Sequence, residues 1–298
     1  MDIKGFPDDV YIPDGRNAGK VEYIHGGVSR NVVEDIANME LRPTFLSIVD
    51  ESALGDAVVR KLNNHKVNTE YIQSAPNGMG TWLAVFDNNG DLAGSISQRP
   101  DLMPLLDVLE KKGDEIFANA DSIIIEVDVD KEIVKKVVEL CEKHQKKLYG
   151  VVSNMSIAME RRDFLQKFDC FICNQQEAGM FFSDDYNDKT PDEMQAILAD
   201  CLKHANISSM VVTMGGQGAV FADKNGLRGF CPARSVQVKD TTGAGDSFCA
   251  GVASGLTYGN TLEEAVAIGT RLAASVITSS ENVCPRFLPA ELGITEQV

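Results

Sequence analysis

Five short apolar runs, each followed by a stretch with helical periodicity, constrain the fold of this chain more than any other feature. They are TFLSIVD (Thr44 to Asp50), SIIIEVDVD (Ser122 to Asp130), KKLYGVV (Lys146 to Val152), FDCFICN (Phe168 to Asn174) and SSMVVTMG (Ser208 to Gly215). Runs of this kind fit strands buried on both faces, and a helix between two of them brings the chain back to start the next strand in the same direction. In KEIVKKVVELCEKHQ, residues Ile133, Val134, Val137, Val138 and Cys141 share one face and Lys and Glu fill the other. The expectation is an α/β fold built on a mostly parallel central sheet with crossover helices.

Two segments break that rhythm. GTWLAVFDNNGDLAGSIS (Gly80 to Ser97) alternates apolar and polar residues about an Asn-Asn-Gly turn, as an antiparallel hairpin with one open face does. The N-terminal YIPDGRNAGKVEYIHGG behaves similarly. Together they predict a small β lid, near residues 4–23 and 80–97, over the strand ends where open α/β sheets bind ligands. Lid and core interleave, so residues 1–298 read as one domain.

Charge narrows the partners. A formal net charge of −16 with no basic stripe opposes nucleic acid and anionic lipid, so an anionic small ligand has to be held by local devices such as helix N-termini. No apolar run approaches the roughly 20 residues of a membrane span, and no charged-then-apolar leader opens the sequence; a cytoplasmic protein is the expectation. The seven cysteines are odd in number. Cys170 and Cys173, with Phe171 and Ile172 between them, read as buried strand residues rather than as a zinc or redox pair.

The densest chemistry lies in DTTGAGDSFCAG, Asp240 to Gly251. Successive N–H groups of Gly243, Ala244 and Gly245 at a helix start form an anion hole, with Asp246 facing whatever occupies it. Phosphoryl transfer needs this combination: a carboxylate to accept the proton of the attacking hydroxyl, and dipoles to stabilise charge on the transferred oxygens. The same residues also suit a plain helix N-cap with close glycine packing.

DTTGAGDSFCAG resembles the C-terminal signature of the ribokinase (PfkB-type) family of sugar and nucleoside kinases, and GGVSRNVVEDIANM (Gly26 to Met39) resembles its N-terminal signature. NQQE (Asn174 to Glu177) and VTMGGQG (Val212 to Gly218) follow in the family's order. The resemblance implies a ribokinase-like three-layer α/β/α core with a small β lid, and ATP-dependent phosphorylation of a hydroxyl on an uncharged sugar or nucleoside. It implies that Asp246 is the catalytic base and that Asn174 and Glu177 lie near the phosphates and the water shell of a magnesium ion. Thr213, Gly215 and Gly218 would contact the nucleotide. Asp2, Gly26, Gly27 and Asn31 would bind the acceptor, and Asp240 and Thr242 match positions that hold a monovalent cation such as K⁺. Asp240 equally suits an N-cap. The order Gly26-Gly27-Val28-Ser29-Arg30-Asn31-Val32 is similar to pseudouridine-kinase-like members, which makes pseudouridine the favoured acceptor.

Departures from the family pattern matter as well. The family opens on an apolar strand ending at a substrate-binding Asp; Asp2 matches that Asp, yet no such strand stands before it in MDIKGFPDD, so the expectation is a natural start upstream of Met1. VVSNMSIAM (Val151 to Met159) lacks the Asp-Pro and Lys expected of a pseudouridine kinase. Other readings are a ribose or hexose kinase, or a binding protein that kept the fold without activity; intact Asp246 and Glu177 argue against the last. A nicotinamide dehydrogenase would need G-x-G-x-x-G after the first strand, which is lacking. Exposed lid strands invite pairing into a homodimer.

Overall fold

The computed structural model describes residues 1–295. Strands β1 (Asp2–Pro7) and β2 (Gly19–Ile24) lead into helix α1 (Val28–Asn38). The short β3 (Ser47–Val49), α2 (Ala53–Asn64) and β4 (Ile72–Ser74) come next, followed by the hairpin β5 (Thr81–Phe86) and β6 (Leu92–Gln98). A helix-and-strand alternation then runs through α3 (Pro104–Asn119), β7 (Ser122–Glu126), α4 (Lys131–His144), β8 (Lys147–Val151), the short α5 (Met155–Ala158) and α6 (Arg162–Leu165), β9 (Cys170–Asn174), α7 (Gln175–Phe182), α8 (Pro191–Ala205) and β10 (Ser209–Thr213). The hairpin β11 (Gly218–Asp223) and β12 (Arg228–Pro232) and the helices α9 (Ala244–Thr257) and α10 (Leu262–Ile277) complete the order.

The main sheet has six strands in the order β12-β11-β10-β9-β8-β7, parallel from β7 to β10 and antiparallel through the β11–β12 hairpin. Strand pleating explains the three layers. Leu148, Phe171 and Val212 point to the side covered by α3, α4 and α8, where Leu109, Val134 and Leu198 join them. Their neighbours Tyr149, Cys170, Ile172 and Val211 point the opposite way, against Val32 of α1, Val252 of α9 and Leu272 of α10. Cys170 and Cys173 are buried free thiols, one in each layer.

Small residues let α9 sit deep. A Cβ on Gly251 would stand 2.7 Å from the Gly269 backbone of α10, so the two helices approach closer than side chains normally permit. This accounts for the run of Gly, Ala, Ser and Cys after Asp246: it is packing surface, not ligand surface.

Thr44 to Asp50 was expected in the main sheet; instead only Ser47–Val49 is strand, and it pairs with β4 in a separate two-stranded parallel sheet. The four strands that break the βαβ rhythm form one sheet in the order β2-β1-β5-β6. Residues between β1 and β2 are a loop rather than strand. No helix among the described residues is long and apolar enough to cross a membrane.

Candidate active site

Strand ends and helix starts converge at the carboxyl ends of the parallel strands of the main sheet. Gly243, at φ 81°, is the N-cap of α9, and a Cβ there would come 2.0 Å from the Asn282 carbonyl oxygen. Only glycine fits that turn. It swings the chain so that α9 begins at the site with Asp246 in its first turn. The Ala244 N–H bonds the Thr241 carbonyl at 3.2 Å, which leaves the N–H groups of Gly245 and Asp246 open at the helix start, and a Cβ on Gly245 would meet nothing within 4 Å. An anion can approach the backbone there.

Asp246 faces α1. Its Oδ2 accepts a 2.6 Å hydrogen bond from Asn31 Nδ2. Arg30 donates to the other end of that amide, Asn31 Oδ1, as well as to Glu34 and to the carbonyls of His25 and Gly26. Arg30 therefore fixes which way the Asn31 amide points. Burial pushes the Asp246 carboxyl up to about 6; the Asn31 bond and Arg30 act against that rise, while the nearby carboxylates Glu126 and Asp2 add to it.

Asp2 opens β1 and rests on the Gly26 backbone: a Cβ on Gly26 would fall 2.0 Å from Asp2 Oδ2. Burial raises the Asp2 carboxyl, against the pull of the Met1 ammonium, Lys4 and Arg30. Gly27, at φ 98°, caps α1 and releases the chain toward Asn31. Glu126, the last residue of β7, accepts from Ser29 Oγ at 2.6 Å and so brings a third carboxylate to the residues expected to bind the acceptor.

The residues expected to meet the nucleotide lie two and three strands over from β7, at the ends of β9 and β10. Thr213 ends β10 in register with Asn174 at the end of β9. Asn174 and Glu177 form a capping box on α7, the Asn174 side chain accepting from Glu177 N–H and the Glu177 carboxylate from Asn174 N–H, both at 2.8 Å. Burial raises the Glu177 carboxyl and Asp128 raises it further, opposed by the Asn174 N–H. A buried carboxylate already held by backbone, with a second acid, Asp128, close enough to act on it, suits a hard cation that keeps its own waters. Among the described residues no group of three His, Cys, Asp or Glu side chains comes together as a direct metal cage. Gly215 sits at φ 55° with open space around it, whereas a Cβ on Gly218 would strike the Cys231 carbonyl oxygen at 2.1 Å. Gly218 thus serves the β11–β12 hairpin, and Gly215 leaves room beside Thr213. Asp240 Oδ1 accepts from both the N–H and the hydroxyl of Thr242, at 2.9 and 2.8 Å, in a turn ahead of Gly243. Burial works to raise the Asp240 carboxyl, but these two bonds and Lys4 hold it below the ordinary range.

Four residues at the site escape the sequence reading. Glu126 and Asp128 sit inside SIIIEVDVD and read there as the polar end of a strand. Asp128 accepts from Ser153 N–H at 2.9 Å and Ser153 Oγ at 2.8 Å, and from Arg99 at the foot of the lid hairpin. The charged residues closing an apolar strand were the available signal for the two acids; nothing local marks Ser153 or Arg99.

The pfkB family of carbohydrate kinases matches residues 1–284. The chain belongs to the PfkB family and is a sugar or nucleoside kinase, a phosphotransferase that uses an alcohol as acceptor. It is 33% identical over 293 residues to guanosine-inosine kinase of Exiguobacterium acetylicum, spanning 97% of this chain and 96% of the relative. It is 22% identical over 269 residues to pseudouridine kinase of Escherichia coli K12, spanning 89% of this chain and 84% of that one. Among solved structures, Arabidopsis thaliana ribokinase complexed with ribose and ATP superposes with a TM-score of 0.83 at 18% identity, covering 99% and 96% of the two chains. The last likeness speaks for the fold.

Proposed function

We propose that this kinase transfers the terminal phosphoryl group of ATP to the primary hydroxyl of a ribonucleoside, with a purine nucleoside of the guanosine or inosine kind favoured over pseudouridine. The observation that carries the uncharged acceptor is the set of three carboxylates, Asp2, Glu126 and Asp246, close enough to perturb one titration. Carboxylates accept hydrogen bonds from ribose hydroxyls and repel a phosphate. Of the cations that act on them, Arg30 is already engaged with Glu34, Asn31 and two backbone carbonyls, and the Met1 ammonium with the Gly80 carbonyl. The choice of base is supported by the 33% identity to a guanosine-inosine kinase along nearly the whole chain.

Asp246 accepts the proton of the attacking hydroxyl as its oxygen bonds to the terminal phosphorus and the bond to the leaving ADP oxygen breaks. Asn31 keeps Asp246 aimed, and the open N–H groups of Gly245 and Asp246 stabilise charge on the phosphoryl oxygens. Thr213 and Gly215 line the nucleotide side. Glu177, with Asn174 and Asp128 beside it, would hold magnesium through its waters, and the ion would neutralise phosphate charge when bound. Asp240 and Thr242 are the candidates for K⁺. The test is kcat/KM for guanosine, inosine, pseudouridine, ribose and fructose 6-phosphate measured side by side. Guanosine or inosine is expected to lead by at least about tenfold, the worth of one good polar contact; a preference for fructose 6-phosphate would overturn the uncharged acceptor, and a preference for pseudouridine would overturn the purine.

A further inference from the structure

Arg30 is buried beside the base, and where its donors go decides how freely Asp246 can take a proton. Nε donates to the Gly26 carbonyl at 3.3 Å, Nη2 to the His25 carbonyl and to Asn31 Oδ1, and Nη1 to Glu34 Oε2. Asp246 receives none of them. It accepts from Asn31 Nδ2 and feels Arg30 only through its charge. That separation needs a cause, because a guanidinium bonds a carboxylate about twice as strongly as a neutral acceptor. Arg30 and Asp246 hold opposite ends of one amide, so Asp246 is a rival for those donors.

Glu34 is the carboxylate that wins. It stands one turn along α1 from Arg30 and is fully buried, and its second oxygen, Oε1, belongs to α2: Lys61 Nζ lies 3.0 Å away and His65 Nε2 3.5 Å. The His65 ring is fixed in turn through Nδ1, 2.7 Å from Asn38 Oδ1. Cys284 and His25 are the other titratable groups that feel Glu34. Together with Lys61 and His65, Glu34 lines a cavity of about 700 Å³ between α1, α2 and the segment after α10, apart from the acceptor-binding residues. A carboxylate buried to this degree is costly even when paired, and contact with the acceptor does not account for it. We propose that Glu34 is a positioning residue for the transfer: anchored by α2, it holds Arg30 on the Asn31 carbonyl oxygen and off the Asp246 carboxylate, so that Asp246 is aimed by a neutral amide and stays free to take the proton.

This role rests on Asp246 acting as the base in the transfer proposed above, and it gives the two partners opposite signatures. Without Glu34, Nη1 of Arg30 turns to the next carboxylate, and an Asp that gains an Arg partner becomes more acidic and a weaker base. Without Arg30, Asp246 loses the charge that opposes its rise and becomes more basic. The Asn31 amide is then unheld and can turn its oxygen, a second acceptor, toward the carboxylate, which spoils the aim. A pair that only stabilised the fold would give no such difference in sign.

The test uses Glu34→Gln, Arg30→Met and the double variant Arg30→Met with Glu34→Met. Two readouts are followed: the acid limb of kcat/KM for inosine, and the titration of the Asp246 carboxyl by carboxyl-carbon NMR of aspartate-labelled protein, assigned by its loss in Asp246→Asn. Thermal melting checks the fold. In Glu34→Gln both are expected to move at least about one pH unit below the parent position near 6, with kcat down about tenfold and KM for ATP unchanged. Arg30→Met should move both above the parent. The double variant should fall between, because an apolar pair leaves neither charge unpartnered. Asp2, Glu126, Asp35 and Cys249, the other titratable groups around Asp246, are common to all the proteins, so the differences belong to Arg30 and Glu34. Positions unmoved from the parent in the variants that fold, or moved the same way in both single variants, would overturn the proposal. A variant that fails to melt cooperatively leaves the decision to the other two, and loss of folding in all three would assign the pair to stability alone and overturn it as well. An NMR titration that shifts as expected beside a kinetic limb that is missing would fault the reading of Asp246 as the base, not the hold of Glu34 on Arg30.

Discussion

A carboxylate that takes a proton from an alcohol has to be ionised at working pH and yet be more basic than a free aspartate. Asp246 reaches that compromise through its neighbours: burial carries it to about 6, and the Asn31 bond stops it from rising further. Transfer should therefore grow with pH on an acid limb that bends near 6, since only the ionised form accepts the proton. Asp246→Asn is expected to keep the fold and nucleotide binding, to lower kcat by roughly 10² to 10⁴ and to abolish that limb. The check is the pH profile of kcat/KM for both proteins, and a parent-like rate in the variant would remove Asp246 from the chemistry. Aspartate and glycine at a helix start mark a candidate anion site in the sequence because phosphate needs bare backbone there. Glu126 was not legible, since its role exists only once β7 ends beside Ser29, and a strand-end acid looks the same in sequence whether or not it faces a ligand.

Alignment of Asp246 depends on how α1, α9 and the segment after α10 are fastened together. Asp35 is the fastening: fully buried, it accepts from Ser247 Oγ at 2.8 Å and from Cys284 N–H at 2.6 Å. Burial pushes its carboxyl up to about 7, with both bonds pulling down and Asp246 pushing up. A folded-state pKa above the unfolded one means the native state binds the extra proton. The contribution to stability is fully present below about pH 4 and is lost as pH rises through about 7. Asp35→Asn removes the titration and keeps an acceptor for Cys284. Its denaturant midpoint is expected to fall less between pH 4 and 8 than that of the parent; an equal fall in both would assign the slope to other groups. At this scale the parallel strands β7 to β10 could be read from sequence because burial on both faces demands continuous apolar runs. The separate pairing of β3 could not, because a run of seven residues does not reveal which edge it will meet. The β11–β12 hairpin was missed for a related reason: VTMGGQG announces a turn without saying that the chain folds straight back.

Two features concern the molecule as a whole, and both involve the lid. Across its four strands Tyr23, Ile3, Leu83 and Ile96 stand in one cross-strand row, and Tyr23, Leu83 and Ile96 are 64%, 39% and 68% exposed. Lys4 and Ala84, on the opposite face, are buried. An apolar row on the outer face of a sheet is a surface for a second copy. We therefore expect a homodimer through the lid, with Tyr23→Glu together with Ile96→Glu giving a monomer in sedimentation velocity; an unchanged sedimentation coefficient would move the interface elsewhere. The other feature is the link between lid and core. Arg99, directly after β6, reaches the carboxylate of Asp128 and, at 3.2 Å, its carbonyl, so the foot of the lid hairpin is held to the carboxyl end of β7. Closure over the acceptor has to exclude water, which otherwise competes for the phosphoryl group. Arg99→Ala leaves Asp128 its two bonds from Ser153 and should preserve the fold, yet it frees the hairpin. KM for the acceptor is expected to rise several-fold, and ATP hydrolysis without acceptor to rise relative to transfer. Hydrogen exchange between Gly80 and Ser97 in saturating acceptor should slow in the parent and much less in the variant. If the ratio of hydrolysis to transfer and the protection of the hairpin both match the parent, Arg99 has no part in closure, and the lid is held by β1 and its ladder to β5 alone.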